Sequence, residues 1–320
     1  MHKPTVHAEP HTVVLPTTIN ALFDEYAAYS SRVRNIAPET IKEQRLYLDR
    51  AAACLGVKTA TELCLSLTPK RLMAVVAGYG AAHGAGSRRW LQLSLRSLLR
   101  FCYLRNYINV DLSAWVPIFR QPRLASIPKA IPENVVTRLL AGIDQNIPPG
   151  RRDVAIIGLL STYGVRGFQI RHLRLCDLNW HAGRIRFPAC KRGKPITQPL
   201  TTEAGNRLSD YIRLERPSAN GQSEVFLGLK PPHVPFMRSA NLSAMIAKRL
   251  KLAGIQAPEG VSNGTHGFRH AFASRLCGKI PLKHISDMLG HRDPSSVMVY
   301  AKVNFDDLAQ AALSWPEEVV

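Results

Sequence analysis

The feature that most limits how this chain can fold is the stretch 265–300, THGFRHAFASRLCGKIPLKHISDMLGHRDPSSVMVY. His266 and Arg269 lie three residues apart at the start of a predicted helix, so both side chains project from one face. Phe268 and Phe272 recur at helical spacing on an adjacent stripe. The pattern predicts a helix that presents a polar pair while its apolar stripe anchors it.

The same stretch predicts a second helix and the start of a third. Pro281 suits a first helical turn, and Gly290 is the residue expected at a left-handed C-terminal stop. His291 therefore follows a helix end. Asp293 and the proline after it are typical of an N-cap and first turn, which places Tyr300 on a short, separate helix.

These spacings, H-x-x-R, then L-G-H, then a tyrosine nine residues after that histidine, resemble the C-terminal signature of the tyrosine recombinases. These are phage-integrase and Xer-like enzymes that break and rejoin DNA. Each residue alone has an ordinary alternative, because Tyr300 lies beside Val299 and such tyrosines are usually half-buried in a core. The joint pattern favours the recombinase interpretation.

A second match lies in the segment YGVRGFQIRHLRLCDLNW. Gly164 is predicted to end one helix and Arg166 to start a short new one, where backbone donors and a guanidinium can share a phosphate. The resemblance implies that Arg166 is the first catalytic arginine and that Gln169 and Asp177 support the site. The family usually has Glu or Asp at the position of Gln169, and an amide keeps hydrogen bonding but loses the charge.

Two predicted strands, 183–187 and 196–200, flank a turn rich in cations. Aligning Gln198 and the two residues after it with the family's V-P-L strand places Lys191 at the catalytic lysine, with Lys194 as the second candidate. Arg192 and Lys194 are predicted to contact DNA. The alternative for each is an exposed turn residue without a function.

The resemblance implies six catalytic residues: Arg166, Lys191, His266, Arg269, His291 and Tyr300. The arginines would clamp the phosphate oxygens and His291 would add a hydrogen bond. Tyr300 would attack phosphorus and form a 3′-phosphotyrosyl link, while His266 assists its deprotonation and Lys191 protonates the leaving 5′-oxygen. No cofactor is implied, and the chain has no Asp/Glu cluster or His/Cys spacing suited to a metal.

The rest of the chain predicts two domains in a mainly α fold with a small β-sheet. The expected division is a disordered tail (1–16), a helical domain (17–114), a basic Pro-rich linker (115–131) and an α+β domain (132–320). The helical domain resembles the core-binding domain that clamps DNA in these enzymes. The last domain resembles their catalytic domain, with a C-terminal helix expected to dock on a neighbouring protomer.

Basic residues are predicted to contact DNA in both the helical domain and the linker. On the helix predicted from Ser87 to about Arg105, the residues Leu91, Leu95, Leu98, Leu99 and Cys102 form one face. The opposite face and the linker carry the candidate DNA contacts, which are Arg89, Arg96, Arg100, Arg120, Arg123 and Lys129. For any single arginine, a solvated surface is an equally good interpretation.

The charge balance favours a polyanionic partner. The chain has 42 Lys+Arg and 23 Asp+Glu, a formal charge of +19, with 17 basic and 8 acidic residues in 1–130 and 25 and 15 in 131–320. Both halves are basic, as expected for a protein that neutralises DNA phosphates. The resemblance implies double-stranded DNA with inverted-repeat core sites and a homotetramer on two paired sites.

Six scattered cysteines without a C-x-x-C pair are typical of a reduced, cytoplasmic protein, here expected on the bacterial nucleoid. No apolar run approaches the roughly 20 residues of a membrane span, so no membrane partner is expected. Two alternatives stay open: a type IB-like topoisomerase, and a non-catalytic DNA-binding regulator on a recombinase scaffold. The sequence names neither the DNA site nor the element served.

Overall fold

The computed structural model describes residues 15–118, 130–190, 193–218, 221–236, 239–256, 264–290 and Met298. The chain divides into two compact units, Met1–Pro122 and Arg123–Val320, each with its own buried core. The described part of the first unit contains α1 (Ile19–Arg32), α2 (Pro38–Leu55), α3 (Ala60–Ser66), α4 (Pro69–Ala82) and α5 (Ala85–Leu104), followed by a 3-10 turn at Leu112–Trp115.

Capping residues set several helix boundaries of the first unit. The Thr18 hydroxyl accepts the N–H of Ala21 at the start of α1, and Thr68 accepts that of Arg71 at the start of α4. Gly56 ends α2 in the left-handed conformation, with φ of 67°. Helix α5 begins two residues before Ser87, the start predicted from the sequence.

The predicted apolar face of α5 is confirmed, and this helix packs against both α2 and α4. All five residues of the face are at most 2% exposed: Leu91, Leu95, Leu98, Leu99 and Cys102. On the other side, Arg89 and Arg100 are exposed and Arg96 is half-buried. α5 therefore supplies both the centre of the core and a basic surface.

The second unit combines seven described helices with a small antiparallel sheet. The helices are α6 (Glu133–Ala141), α7 (Gly150–Tyr163), α8 (Gly167–Arg171), α9 (Thr202–Leu214), α10 (Ser239–Leu252), α11 (Thr265–Leu276) and α12 (Leu282–Met288). The strands are β1 (Leu178–Asn179), β2 (Arg184–Phe187) and β3 (Ile196–Pro199), in that spatial order. Ile185 pairs with Leu178 on one side and with Gln198 on the other. The predicted fold class, mainly α with a small sheet, is confirmed.

Helix α7 is the centre of the second unit, and it packs against α6, α8, α9 and α11. Its residues 154–157 are at most 3% exposed, so the helix is apolar around its whole circumference. At its first turn, Asp153 accepts hydrogen bonds from Arg152 (2.9 Å) and from Arg249 of α10 (2.8 Å). This buried ion network ties α10 to α7.

Some elements were not predicted from the sequence, and others fall outside the described residues. Helix α3 and strand β1 were not predicted, and residues 224–227 form only isolated bridges, one from Glu224 to Arg174 and one from Leu227 to Pro235. The helices predicted after His291 lie outside the described residues. Among the described helices, none has the length and apolar character needed to cross a membrane.

Candidate active site

The two arginines predicted to clamp the phosphate meet at one main-chain oxygen. Arg166 precedes α8 and Arg269 lies on α11, yet both donate to the carbonyl of Leu289, at 3.4 Å and 2.7 Å. Leu289 caps the C-terminus of α12. The last carbonyls of a helix have no partner within it and carry a partial negative charge, so a guanidinium is a favourable donor to them.

Arg269 has a second backbone anchor, which fixes the direction of its guanidinium. Its Nη1 donates to the carbonyl of Gly164, at the end of α7, at 3.0 Å. The arginine is 4% exposed, so these two carbonyls compensate a buried charge. Arg166 is half-buried. One arginine is thus held rigidly from two helix ends, while the other keeps some access to solvent.

His266 lies one helical turn before Arg269 on α11 and is exposed. Its ring centroid is 6.5 Å from that of His270, which sequence analysis did not single out. Burial lowers the pKa of the His270 imidazole, and the nearby charges of His266 and Arg269 lower it further. The His270 ring is therefore biased toward its neutral form beside the arginine. The spacing H-x-x-R-H would have identified it as a neighbour of the site.

Gln169 is buried, at 1% exposure, and both ends of its amide are bonded. Its Oε1 accepts the main-chain N–H of Arg166 at 3.0 Å, and its Nε2 donates to the carbonyl of Pro188 at 3.2 Å. The structure thus places Gln169 against the backbone of Arg166. Asp177, the other predicted supporting residue, accepts the N–H of Arg174 at 3.0 Å in the 3-10 turn before β1.

The β2–β3 hairpin approaches the same helix end as the arginines. Gln198 donates to the carbonyl of Met288 at 3.4 Å, and Ile196 packs against Gly290. In the turn, Gly193 donates to the carbonyl of Cys190 at 3.1 Å, and Lys194 is exposed. The C-terminal turn of α12 is therefore in contact with the hairpin as well as with both arginines.

Four of the predicted site residues, Lys191, Arg192, His291 and Tyr300, lie outside the described residues, as do Arg120, Arg123 and Lys129 of the linker. Along the chain, His291 follows Gly290, and Gly290 follows Leu289, whose carbonyl the two arginines share. Within the described residues, no group of three or more His, Cys, Asp or Glu side chains is arranged to hold a metal ion. The placed part of the site consists of Arg166, Gln169, His266 and Arg269.

Two of the three arginines predicted on the DNA side of α5 bond to the segment that follows this helix. Arg96 donates to the carbonyl of Val116 at 3.3 Å, and Arg100 pairs with Asp111 at 3.3 Å. Arg100 remains 67% exposed in its side chain. Arg89 is exposed near the start of the helix. The basic face is therefore partly neutralised at its C-terminal half.

Comparisons with known proteins identify the family of the chain. The model of the phage integrase family matches residues 129–307, more than half of the chain. The y4rA protein of Sinorhizobium fredii, provisionally named an integrase/recombinase, is 40% identical over 226 residues, which are 70% of this chain and 54% of y4rA. The y4gC protein of the same organism, with the same provisional name, is 34% identical over 58% of this chain and 93% of its own length.

A solved structure of similar fold is the lambda integrase tetramer bound to a Holliday junction. It has a TM-score of 0.69 at 15% identity and covers 94% of this chain and 80% of that one. Together with the family match, the fold confirms the resemblance predicted from the motifs. The chain therefore belongs to the phage integrase family of tyrosine recombinases, which cleave and rejoin DNA.

Proposed function

We propose that this chain is a site-specific recombinase that exchanges DNA strands through a covalent link between Tyr300 and a 3′-phosphate. The observation that carries the proposal is the convergence of Arg166 and Arg269 on the carbonyl of Leu289. Two guanidinium nitrogens within 3.4 Å of one oxygen are close enough to bind two oxygens of a single phosphate. The aligned part of y4rA spans only 54% of that protein, so the activity of the whole chain is our inference.

The arginine pair supplies what the transition state needs. During attack on a phosphodiester, negative charge increases on the non-bridging oxygens, and fixed donors aimed at those oxygens stabilise it. Arg269 is held by two carbonyls and needs little reorganisation to act as such a donor. His291, one residue beyond Gly290, is the proposed third donor.

The strand cleavage is a balanced displacement. The bond from the Tyr300 oxygen to phosphorus forms as the bond from phosphorus to the 5′-oxygen breaks. His266, which is exposed at the start of α11, is proposed to accept the tyrosine proton. Lys191 is proposed to donate a proton to the leaving 5′-oxygen. A 5′-hydroxyl from a second strand reverses the attack, so the energy of the broken bond is retained in the phosphotyrosine.

The proposed substrate is double-stranded DNA with inverted-repeat core sites, bound by a homotetramer that pairs two sites. The related lambda integrase fold was solved as a tetramer on a Holliday junction, and the charge of +19 suits a DNA-bound assembly. We place the protein in the cytoplasm, on the nucleoid, because its substrate is there. The described basic residues proposed to contact DNA include Arg89, Arg100 and Lys194.

The decisive experiment traps the covalent intermediate. The protein is incubated with duplexes from the DNA flanking its own coding sequence, each with a nick that lets the short 5′-hydroxyl fragment diffuse away. We expect an adduct that resists denaturation in the wild type and is absent in Tyr300→Phe, with and without EDTA. Tyr103→Phe, a change at an exposed tyrosine of the first unit, is the matched control and should retain the adduct.

Other outcomes point to the two alternatives. Relaxation of any supercoiled plasmid, without dependence on a flanking site, would favour a type IB-like topoisomerase. Tight binding to a flanking fragment without any adduct would contradict the proposal and favour a non-catalytic regulator. An adduct that persists in Tyr300→Phe would show that another residue is the nucleophile.

A further inference from the structure

Gln169 is the one buried polar side chain of α8, and its two bonds join two separate parts of the site. One bond reaches the main chain of Arg166, and the other reaches the carbonyl of Pro188, just after β2 ends at Phe187. The side chain is 1% exposed, so water does not substitute for either partner. Gln169 therefore links the start of α8 to the hairpin.

The chemistry of the amide matches these partners in a way that a carboxylate does not. An amide offers an acceptor to the Arg166 N–H and a donor to the Pro188 carbonyl, whereas an ionised carboxylate only accepts. A carboxylate at this position would still accept the Arg166 N–H. Its other oxygen would face the Pro188 carbonyl oxygen, and two acceptors in contact repel each other. The amide of Gln169 thus satisfies both of its backbone partners.

The hairpin is held from its other side by the end of α12. Gln198 of β3 donates to the carbonyl of Met288, and Ile196 lies against Gly290. Pro188 lies three residues before Lys191, and Gln198 lies seven residues after it. Besides its pairing with β1 and β3, the strand that leads into the lysine is thus restrained by the Gln169 bond just beyond its end, and the α12 contacts restrain the strand that leaves the lysine.

We propose that Gln169 is a positioning residue that holds the β2–β3 hairpin for protonation of the leaving 5′-oxygen. This inference rests on the proposed function, in which Lys191 is the proton donor. Phosphate binding by the arginines requires only the hydrogen bond from the Arg166 main chain to the amide oxygen of Gln169. Loss of the Pro188 bond should therefore slow departure of the 5′-oxygen while leaving DNA affinity unchanged.

The test compares two leaving groups in single-turnover cleavage at saturating DNA, on the nicked duplex that yields the adduct. In the second substrate, sulfur replaces the bridging 5′-oxygen, so the phosphorus–sulfur bond breaks and sulfur departs as a thiolate without needing a proton. In its ionised form, Gln169→Glu keeps the acceptor for Arg166 and removes the donor for Pro188. Gln169→Met removes both bonds at similar volume.

On the oxygen substrate, we expect Gln169→Glu to cleave at least tenfold more slowly than wild type. The loss should not exceed the roughly 10²–10⁴-fold rate enhancement that a general acid contributes. On the sulfur substrate, its rate should return to within about threefold of wild type. Gln169→Met should recover only in part, because its link to Arg166 is also lost. Gln44→Glu, a buried glutamine of the first unit that keeps its acceptor role toward Tyr26, is the matched control and should be unaffected.

Lys191→Ala separates this inference from the proposed function. If the sulfur substrate restores the cleavage rate of Lys191→Ala while Gln169→Glu is equally slow on both substrates, the positioning role of Gln169 is overturned and the role of the lysine stands. If sulfur restores Gln169→Glu but not Lys191→Ala, Gln169 still positions the hairpin and another cation of the hairpin is the acid. Full activity of both Gln169→Glu and Gln169→Met on the oxygen substrate also overturns the inference. Recovery on sulfur itself shows that a variant is folded.

Discussion

Gly164 and Gly290 occupy the two helix ends that hold Arg269, and neither position accommodates a side chain. Both have left-handed backbones, with φ of +59° and +60°. A Cβ on Gly164 would lie 2.7 Å from the ring of Phe272, and one on Gly290 would lie 2.5 Å from Cδ1 of Ile196. These glycines allow α7 and α12 to stop abruptly, which leaves their final carbonyls available to the guanidinium.

Gly290→Ala should therefore lower the free energy of unfolding more than a substitution that only strains the backbone. Gly183→Ala is the control, because Gly183 has φ of +58° and a Cβ added there would meet nothing within 4 Å. We expect the control to lose about 1–2 kcal/mol of unfolding free energy, from left-handed strain alone. Gly290→Ala should lose more and should also reduce the cleavage rate, because the adjacent Leu289 carbonyl shifts. Urea unfolding and single-turnover cleavage measure the two effects.

Adding Ile196→Val removes the Cδ1 atom that the new methyl group meets. The double variant should regain part of the stability lost in Gly290→Ala. Equal losses in Gly290→Ala and Gly183→Ala would show that contact with the hairpin does not constrain this turn.

At the scale of elements, the sequence predicted helices well where caps and apolar periodicity agree. Thr68 caps the start of α4 and Gly56 ends α2, as their residue types favour, because each type is tied to local backbone bonding. α3 was missed although Thr59 and Glu62 form a capping box, since its seven residues are too few for a periodic stripe. β1, with two residues, carries no pattern of its own. Short elements depend on tertiary partners that local sequence does not specify.

The junction of α7 and α10 depends on one carboxylate shared by two arginines. Asp153 has a side chain 3% exposed, between Arg152 and Arg249. Asp153→Ala leaves both cations buried without their counter-charge, and we expect a loss of about 3–5 kcal/mol of unfolding free energy. Asp24→Ala, which removes an exposed partner of Arg45, should lose less than about 1 kcal/mol. Chemical denaturation of both variants measures the difference.

A loss below about 1 kcal/mol for Asp153→Ala would show that water or a rearranged arginine replaces the carboxylate. The triple change of Asp153, Arg152 and Arg249 to apolar residues provides a further control. It should be less destabilised than Asp153→Ala, because no charge is left unpaired.

At the scale of the whole molecule, spacing in the sequence singled out Arg166, His266 and Arg269 as candidates, but it did not show how the two arginines are held. The acceptor that joins the arginines is the main-chain oxygen of Leu289, and any residue at that position would supply it. Three segments distant in the sequence meet there, and only packing of the complete unit brings them together. The bonds that Arg96 and Arg100 of α5 make could not be predicted from the sequence either, because they depend on the path of residues 111–118.

Basic residues in both units should make DNA binding strongly dependent on salt. Each phosphate contact contributes about 0.9 to the slope of log K against log salt concentration. Arg89→Ala should lower that slope by about 1. Arg96→Ala should lower it less, because its guanidinium donates to the carbonyl of Val116. Fluorescence anisotropy of a labelled duplex, over a series of salt concentrations, gives the slope directly.

Arg45→Ala is the control for net charge, since Arg45 pairs with Asp24 and Asp49 on α1 and α2. Its slope should equal that of wild type. If all three arginine variants lower the slope equally, the basic face of α5 has no special part in binding, and overall charge accounts for the affinity.

The carbonyl of Leu289 has a consequence for how the enzyme can be switched. Both arginines donate to the carbonyl of Leu289 in the last turn of α12, and Gln198 of the hairpin donates to the carbonyl of Met288 beside it. We expect a displacement of that one turn to release the two arginines and the hairpin together, because all three bond to its carbonyls. If the site acts as we propose, a shared anchor of this kind would suppress half-competent states, in which a DNA strand is cut without the means to reseal it.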